Sequence, residues 1–244
     1  MTPVALVTGA SKGIGAACAV TLARRGWDVG LTYGEDREGA EATAALVAGA
    51  GRRAHVVRAA ATDPGAAPGA VEEVEDELGP LDALVANAGI TLDGPAVRMT
   101  GAAWRAPIDV NLGGTFAAAR AALRGMMRRR SGSIVAISSV VGVQGNAGQA
   151  NYAASKAGII GLVRALAREA GPRGVRVNAV APGYIRTRLT DALADEHRER
   201  LLAGTALGRL GDPEDVAGPV AYLCSPASAF VTGTVLAVDG GLRV

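Results

Sequence analysis

Lysine is almost missing from this chain: of its 25 basic residues only Lys12 and Lys156 are lysines, the rest being arginine. Aromatic residues make up 3%, there are two cysteines and two histidines, and no uninterrupted apolar run is long enough to span a bilayer. Each scarcity excludes something. Cys18 and Cys224 cannot build a disulfide framework, and without a Cys-x-x-Cys or Cys/His cluster no metal site is expected. A net charge of +2, with both signs interspersed, lacks the concentrated basic face that grips nucleic acid, and so few aromatics offer no stacking platform for bases. The chain runs straight into Val4-Ala5-Leu6-Val7 with no basic, cleavable leader before it, so a cytoplasmic protein with no membrane partner is expected. What is present is 49% hydrophobic residues over 244 positions, ample for a core of Ala, Val, Leu and Ile.

Short aliphatic runs alternate with longer Ala-rich segments. Strands are expected at Val4–Thr8, Asp28–Tyr33, Ala54–Arg58, Ala83–Ala86, Ser133–Ser138, Arg176–Ala181 and Val235–Val238. Helices are expected near Gly13–Arg25, Gly39–Ala48, Gly69–Leu78, Gly101–Arg130, Tyr152–Gly171 and Pro213–Cys224. Continuous apolar strands belong to a parallel sheet covered on both faces, and the alternation defines a doubly wound α/β fold. No linker divides the chain, so residues 1–244 form one expected domain. The polar stretch Tyr184–Gly208, with Arg186, Arg188 and Asp191, interrupts the rhythm and has the position of a substrate lid.

The first strand runs directly into Thr8-Gly9-Ala10-Ser11-Lys12-Gly13-Ile14-Gly15 and then a helix. Glycines at a strand-to-helix turn permit close backbone approach, and the helix N-terminus favours a pyrophosphate. The spacing Gly-x-x-x-Gly-x-Gly differs from the commoner Gly-x-Gly-x-x-Gly, and an ordinary turn is the alternative. Asn87-Ala88-Gly89 follows the fourth strand, where it could stabilise strand ends or lie against a cofactor. Ser138-Ser139 closes the fifth strand, and Tyr152 and Lys156 stand one helical turn apart on one face. A free tyrosine titrates near pH 10; a neighbouring ammonium, or a positively charged nicotinamide, would favour its phenolate. A lone Tyr-x-x-x-Lys pair is more often inert surface, but this one joins one of four tyrosines to one of two lysines.

Thr8–Gly15, Asn87–Gly89, Asn111, Ser139, Tyr152 and Lys156 together resemble the classical short-chain dehydrogenase/reductase family, and Pro182-Gly183 with Ile185 and Thr187 extends the likeness over the whole chain. The resemblance implies a Rossmann-type seven-stranded parallel sheet, in the order 3-2-1-4-5-6-7, and a homotetramer. It also assigns roles. Tyr152 would donate a proton to a carbonyl oxygen that Ser139 hydrogen-bonds; Lys156 would lower the tyrosine pKa and hold the nicotinamide ribose; Asn111 would anchor a water in the proton relay. Gly9, Ser11, Lys12, Gly13, Ile14, Gly15, Asn87, Ala88, Gly89, Pro182, Gly183, Ile185 and Thr187 would join Tyr152 and Lys156 around the cofactor. Gly158 and Gly161 would suit close helix packing, at an interface or within the chain.

The second strand ends Leu31-Thr32-Tyr33-Gly34 with no acid at Tyr33, where NAD-using enzymes place one, although Glu35 and Asp36 follow. Lys12 and Arg37 could reach a 2′-phosphate, so NADPH/NADP+ is the expected cofactor. Ala60 stands where relatives carry an Asp or Asn beside the adenine, so that either the adenine is held more weakly or Asp63 takes over. Among family members the chain is most similar to 3-oxoacyl-[acyl-carrier-protein] reductases, in Ser138–Tyr152, in Asn87–Thr91 and in Val238-Asp239-Gly240-Gly241. That likeness implies reduction of a 3-oxoacyl thioester to the 3-hydroxyacyl thioester in fatty-acid or polyketide biosynthesis. It also implies an acyl carrier protein partner, docked on Arg130 and Arg173; a helix-capping Arg run is the alternative. The small residues and proline of Thr91–Ala96 depart from those reductases and would reshape the acyl entrance. The rival readings are a dehydrogenase or reductase of an acyl-CoA or a free small ketone or alcohol, and a non-catalytic dinucleotide sensor.

Overall fold

The computed structural model describes residues 2–60, 63, 65–186 and 204–242. Its strands are β1 (Val4–Val7), β2 (Asp28–Tyr33), β3 (Ala54–Arg58), β4 (Ala83–Ala86), β5 (Gly132–Ile137), β6 (Val175–Pro182) and β7 (Val235–Val238). They pair in parallel in the order β3-β2-β1-β4-β5-β6-β7, as expected. The α-helices are α1 (Gly13–Arg24), α2 (Arg37–Gly49), α3 (Ala66–Leu78), α4 (Gly101–Pro107), α5 (Gly114–Arg129), α6 (Val140–Gln144), α7 (Ala150–Ala170) and α8 (Pro213–Cys224).

Period-2 alternation divides the strand residues between two cores. Val4, Leu6, Leu84, Ile134 and Val177 face α3, α5 and α7, where Val74, Ala122, Met126, Ile159 and Val163 meet them. Ala5, Val7, Leu31, Val85 and Val135 face α1 and α8, against Cys18, Leu22, Val216 and Val220. Glycine sets one approach distance: a Cβ on Gly30 would lie 2.6 Å from both γ-methyls of Val74, so only glycine lets α3 lie this close to β2. None of the described helices is long and apolar enough to cross a membrane.

The long helix expected over Gly101–Arg130 is broken. α4 ends at Pro107, which has no N–H to give, and a π-helical turn, Ile108–Gly113, precedes α5. The wider turn sits where Gly113 and Gly114 weaken helical propensity, and it carries Asn111, which is fully buried. α2 starts at Arg37 rather than Gly39 because Asp36 caps it, its carboxylate accepting from Gly39 N at 3.0 Å. α3 likewise starts earlier than expected, at Ala66. The short α6 was not foreseen; Ser139 caps it, its Oγ accepting from Val141 N at 3.1 Å.

Candidate active site

In a parallel doubly wound sheet, ligands bind beyond the carboxyl ends of the strands. Here the ends of β1, β2 and β4 are laced together there. Thr8 Oγ1 accepts from Asn87 N and Ala88 N at 2.9 and 3.1 Å, while Asn87 Nδ2 donates to Thr8 O and Gly9 O, both at 3.0 Å. Gly9 N donates to Thr32 Oγ1 at 3.2 Å. Asn87 is thus a staple for the glycine turn. Gly9 and Gly13 sit at φ +64° and +57°, and a Cβ on Gly15 would fall 2.3 Å from Gly9 O. α1 then begins at Gly13, with Lys12 at the cap position making no side-chain cap and no acid in the first turn, leaving its positive end for an anion.

Thr8, Thr32, Ala59, Ala60, Ala88 and Ile90 line one end of a mostly apolar cleft of about 760 Å³ that continues along α4 and α5. Asp63 also lines it, but its Oδ1 already accepts from Gly65 N at 2.8 Å. The two expected phosphate cations each have a carboxylate partner: Lys12 lies 3.6 Å from Asp36, and Arg37 lies 2.7 Å from Glu41. These residues fit a dinucleotide, with a glycine cradle that a single Cβ would fill and an uncapped helix start.

α7 carries Tyr152 and Lys156 past the end of β5. Lys156 is buried and its Nζ donates to Ile137 O at 2.8 Å, standing 5.6 Å from the centroid of the Tyr152 ring. Ser138 Oγ donates to Lys156 O at 2.8 Å, and a Cβ on Gly142 would lie 2.7 Å from Lys156 Cβ, so α6 packs tightly on this turn of α7. Burial pushes the Lys156 ammonium down to about 8. Tyr152 moves the other way. Burial raises its phenol above the ordinary value, the Ser139 hydroxyl opposes this by a hydrogen bond, and the Asp93 carboxylate adds to the rise. The lowering of Tyr152 expected from its neighbouring ammonium is therefore not what the protein atoms produce: burial is the largest influence on the phenol, and it acts upward.

Asn111 lies beside this pair, with both side-chain polar atoms engaged. Its Oδ1 accepts from Ile90 N at 2.7 Å, and its Nδ2 donates to Ile90 O at 3.0 Å and Ser155 Oγ at 2.9 Å. It holds the loop after β4 against α7. Gly89 passes so near that a Cβ there would lie 3.0 Å from Asn111 Oδ1 and 3.5 Å from Lys156 Nζ.

Other expected residues are spread more widely. Pro182 ends β6 opposite Val238, and Gly183 packs where a Cβ would meet Asp239 Cα at 2.8 Å. Ile185 is buried in the core beside α8, with a backbone bridge to Gly211. Thr187, and residues 187–203 of the expected lid, lie outside the described residues. Gly158 packs within the chain, 2.6 Å from Leu112 Cδ2 for an added Cβ, whereas Gly161 faces open space. Arg130 and Arg173 come together, Arg130 Nη2 donating to Pro172 O at 3.3 Å, but they precede β5 and β6 and so sit at the amino-terminal edge of the sheet, opposite Tyr152. Sequence reasoning missed Asp93, Gln149 and Ser155; an acid in the loop at a strand's carboxyl end was the only available signal for the first.

A cleft at the carboxyl edge, a glycine-cradled helix start and a Ser139–Tyr152–Lys156 cluster define a dinucleotide-dependent oxidoreductase. A family model described as Enoyl-(Acyl carrier protein) reductase matches residues 9–243, and the chain belongs to the short-chain dehydrogenase/reductase family. It is 46% identical to the 3-oxoacyl-[acyl-carrier-protein] reductase FabG of Vibrio cholerae, covering 98% of this chain and 96% of that protein. It is 45% identical to the protein of that name from Escherichia coli K12, over the same shares, and 45% to that of Staphylococcus aureus, over 99% and 98%. A solved structure from Sinorhizobium meliloti 1021, of a protein provisionally described as a short-chain alcohol dehydrogenase, superposes with a TM-score of 0.94 at 38% identity, covering 98% of this chain and 95% of that one.

Proposed function

We propose that this chain, acting as one domain, is a 3-oxoacyl-[acyl-carrier-protein] reductase that uses NADPH to turn a 3-oxoacyl thioester into the 3-hydroxyacyl thioester in fatty acid biosynthesis. The observation that carries the reading is the Ser139–Tyr152–Lys156 cluster at the carboxyl edge, in a chain 45% identical over nearly its whole length to reductases of that name. The nicotinamide cofactor, when bound, supplies a hydride to the keto carbon. Tyr152 gives its phenolic proton to the keto oxygen as charge develops there, and the Ser139 hydroxyl hydrogen-bonds the same oxygen. Lys156 holds positive charge 5.6 Å from the centroid of the tyrosine ring and would bind the cofactor ribose. Asn111 keeps Gly89 and Ile90 seated against α7 beside Lys156, where it would anchor the water of the proton relay.

The glycine turn with the start of α1 would hold the pyrophosphate, and Lys12 and Arg37, paired here with Asp36 and Glu41, would hold the 2′-phosphate. No acid stands at Tyr33 to repel that group. We place the enzyme in the cytoplasm as a homotetramer, supported by the resemblance and by the exposed faces that Phe116 on α5 and Gly161 on α7 leave open. The acyl carrier protein is its substrate-bearing partner.

The test follows NADPH absorbance with acetoacetyl thioester on carrier protein and on CoA, with NADH and a crotonyl thioester as controls. Oxidation of NADPH by the acetoacetyl carrier in preference to CoA, NADH and crotonyl arms is the expected result. Turnover of the crotonyl thioester alone, or of neither thioester, overturns the reading.

A further inference from the structure

Both peptide groups of Tyr152 are held by side chains. Its N–H donates to Asn151 Oδ1 at 2.8 Å, and its carbonyl accepts from Ser155 Oγ at 2.7 Å. The first turn of any helix leaves N–H groups without intrahelical partners, so the Asn151 bond fills an ordinary gap. The Ser155 bond is an addition, because a carbonyl inside a helix already accepts from the N–H four residues on. Ser155 is fully buried and uses its hydroxyl twice: it also accepts from Asn111 Nδ2 at 2.9 Å. Asn111 belongs to the π turn before α5, and Thr115 Oγ1 of α5 donates to Asn111 O at 2.6 Å. One hydrogen-bonded chain thus runs from α5 through the π turn to the peptide of Tyr152. Further bonds fix the same end of α7 from outside. Gln149 Nε2 donates to Asp93 Oδ2 at 2.9 Å, and Asn151 Nδ2 donates to Leu92 O at 2.9 Å and Ala103 O at 2.8 Å. The reaction above gives Ser155 no part.

We propose that Ser155 is a positioning residue for ketone reduction: by bonding the peptide carbonyl of Tyr152 and the side chain of Asn111 at once, it sets where the phenol stands against the keto oxygen. This deepens the reductase reading and rests on it. A proton donor must lie within hydrogen-bond reach of the oxygen it serves, and a misplacement of about 1 Å can lower the rate by about 100-fold. The apolar contacts of α7, through Ile159 and Val163, are non-directional. A hydroxyl that donates within one element and accepts from another fixes a distance and an angle. Without that hydroxyl no buried polar group is stranded. Asn111 Nδ2 keeps its bond to Ile90 O at 3.0 Å, and Tyr152 O stays within the helical ladder of α7. The fold therefore loses little with the Ser155 hydroxyl, and the loss falls on the placement of Tyr152.

The experiment is a double-mutant cycle of Ser155→Ala with Tyr152→Phe, read as single-turnover NADPH oxidation at saturating acetoacetyl carrier protein. Ser155→Ala alone is expected to slow that step by about 10- to 100-fold, with NADPH affinity, read by fluorescence, unchanged within about twofold. In the Tyr152→Phe background the same substitution should change the rate by less than about twofold, because no phenolic proton is left to misplace. Loss by one factor in both backgrounds overturns the proposal and makes Ser155 a support of the cleft as a whole. A near-normal rate in Ser155→Ala overturns it too, as does a variant that no longer folds or binds NADPH, since the hydroxyl would then belong to the fold. A second reading needs no substrate. In protein labelled with carbon-13 at tyrosine Cζ, the signals of the four tyrosines include one that Tyr152→Phe removes. Ser155→Ala is expected to shift or broaden that signal and leave the rest in place. If the starting protein reduces no thioester, such a change sustains the positioning role while sinking the reductase reading. An unmoved signal overturns the proposal whatever the turnover.

Discussion

The two edges of the sheet use the same polar chemistry to opposite ends. At the carboxyl edge Asn111, Asn151, Ser155 and Lys156 are buried and every one has a partner. At the amino edge Arg52 and Arg53 clasp the buried Asp28 at 2.6 and 2.8 Å, and Arg129 reaches Glu75 at 3.4 Å. Burial alone would raise the Asp28 carboxyl; hydrogen bonds from Arg53 and Arg52 reverse this and hold it below its usual range. Arginine keeps its charge in almost any setting, whereas lysine is readily discharged by burial. An edge that only needs fixed charge can be built from arginine. An edge that tunes a proton needs lysine, and in a chain with two lysines one of them is Lys156.

The largest test of that contrast is Tyr152→Phe. It removes one hydroxyl from the carboxyl edge and no packing, so the fold and NADPH binding should persist. Turnover should fall by about 10²- to 10⁴-fold, the worth of a positioned proton donor. Single-turnover NADPH oxidation checks the rate and NADPH fluorescence the binding. Near-normal turnover would mean that the proton comes from elsewhere and that the edge contrast is one of packing only.

Lys156→Met tests the cost of burying the charge. With the folded pKa near 8 against 10.5 in the unfolded chain, the charged form is disfavoured by about 3 kcal/mol below pH 8. Between those two values the unfolded chain binds more protons than the folded one. Stability attributable to Lys156 therefore rises with pH across that window. Urea unfolding at about pH 7 and about pH 9.5 should show this rise in the native protein and its loss in Lys156→Met, with turnover abolished in the variant. Identical pH dependence in both would place the ammonium in contact with solvent.

Much of this was legible in the chain. Continuous apolar runs such as Val4–Val7 and Ala83–Ala86 are strands because both faces of a parallel sheet are covered. Tyr152 and Lys156 are paired because a helix repeats every 3.6 residues. The illegible parts depend on distant partners. Asp93 and Gln149 are 56 residues apart, and Asn111 and Ser155 are 44 apart, so no local pattern announces either bond. The break at Pro107 stood in the sequence as a lone proline in an otherwise helical pattern. That it opens into a π turn, with Asn111 facing inward, depends on what α7 offers as a partner.

The smallest expected effect lies at the amino edge and bears on the carrier. Arg130 and Arg173 are exposed neighbours, and α7, about 30 Å long, separates Arg173 from Tyr152. A carrier held there is guided by charge and touches none of the reacting groups, so its contribution belongs to encounter and not to chemistry. Arg130→Glu with Arg173→Glu should lower kcat/KM for acetoacetyl carrier protein by about tenfold, leave the CoA thioester nearly unaffected, and lose its influence as salt rises, because exposed charges are screened. Equal losses on both thioesters would assign the pair to the local bond between Arg130 and Pro172 O, one more arginine fixing chain ends as Arg52 and Arg53 do. The carrier would then be recognised at the carboxyl edge, and the division of labour between the two edges would be complete.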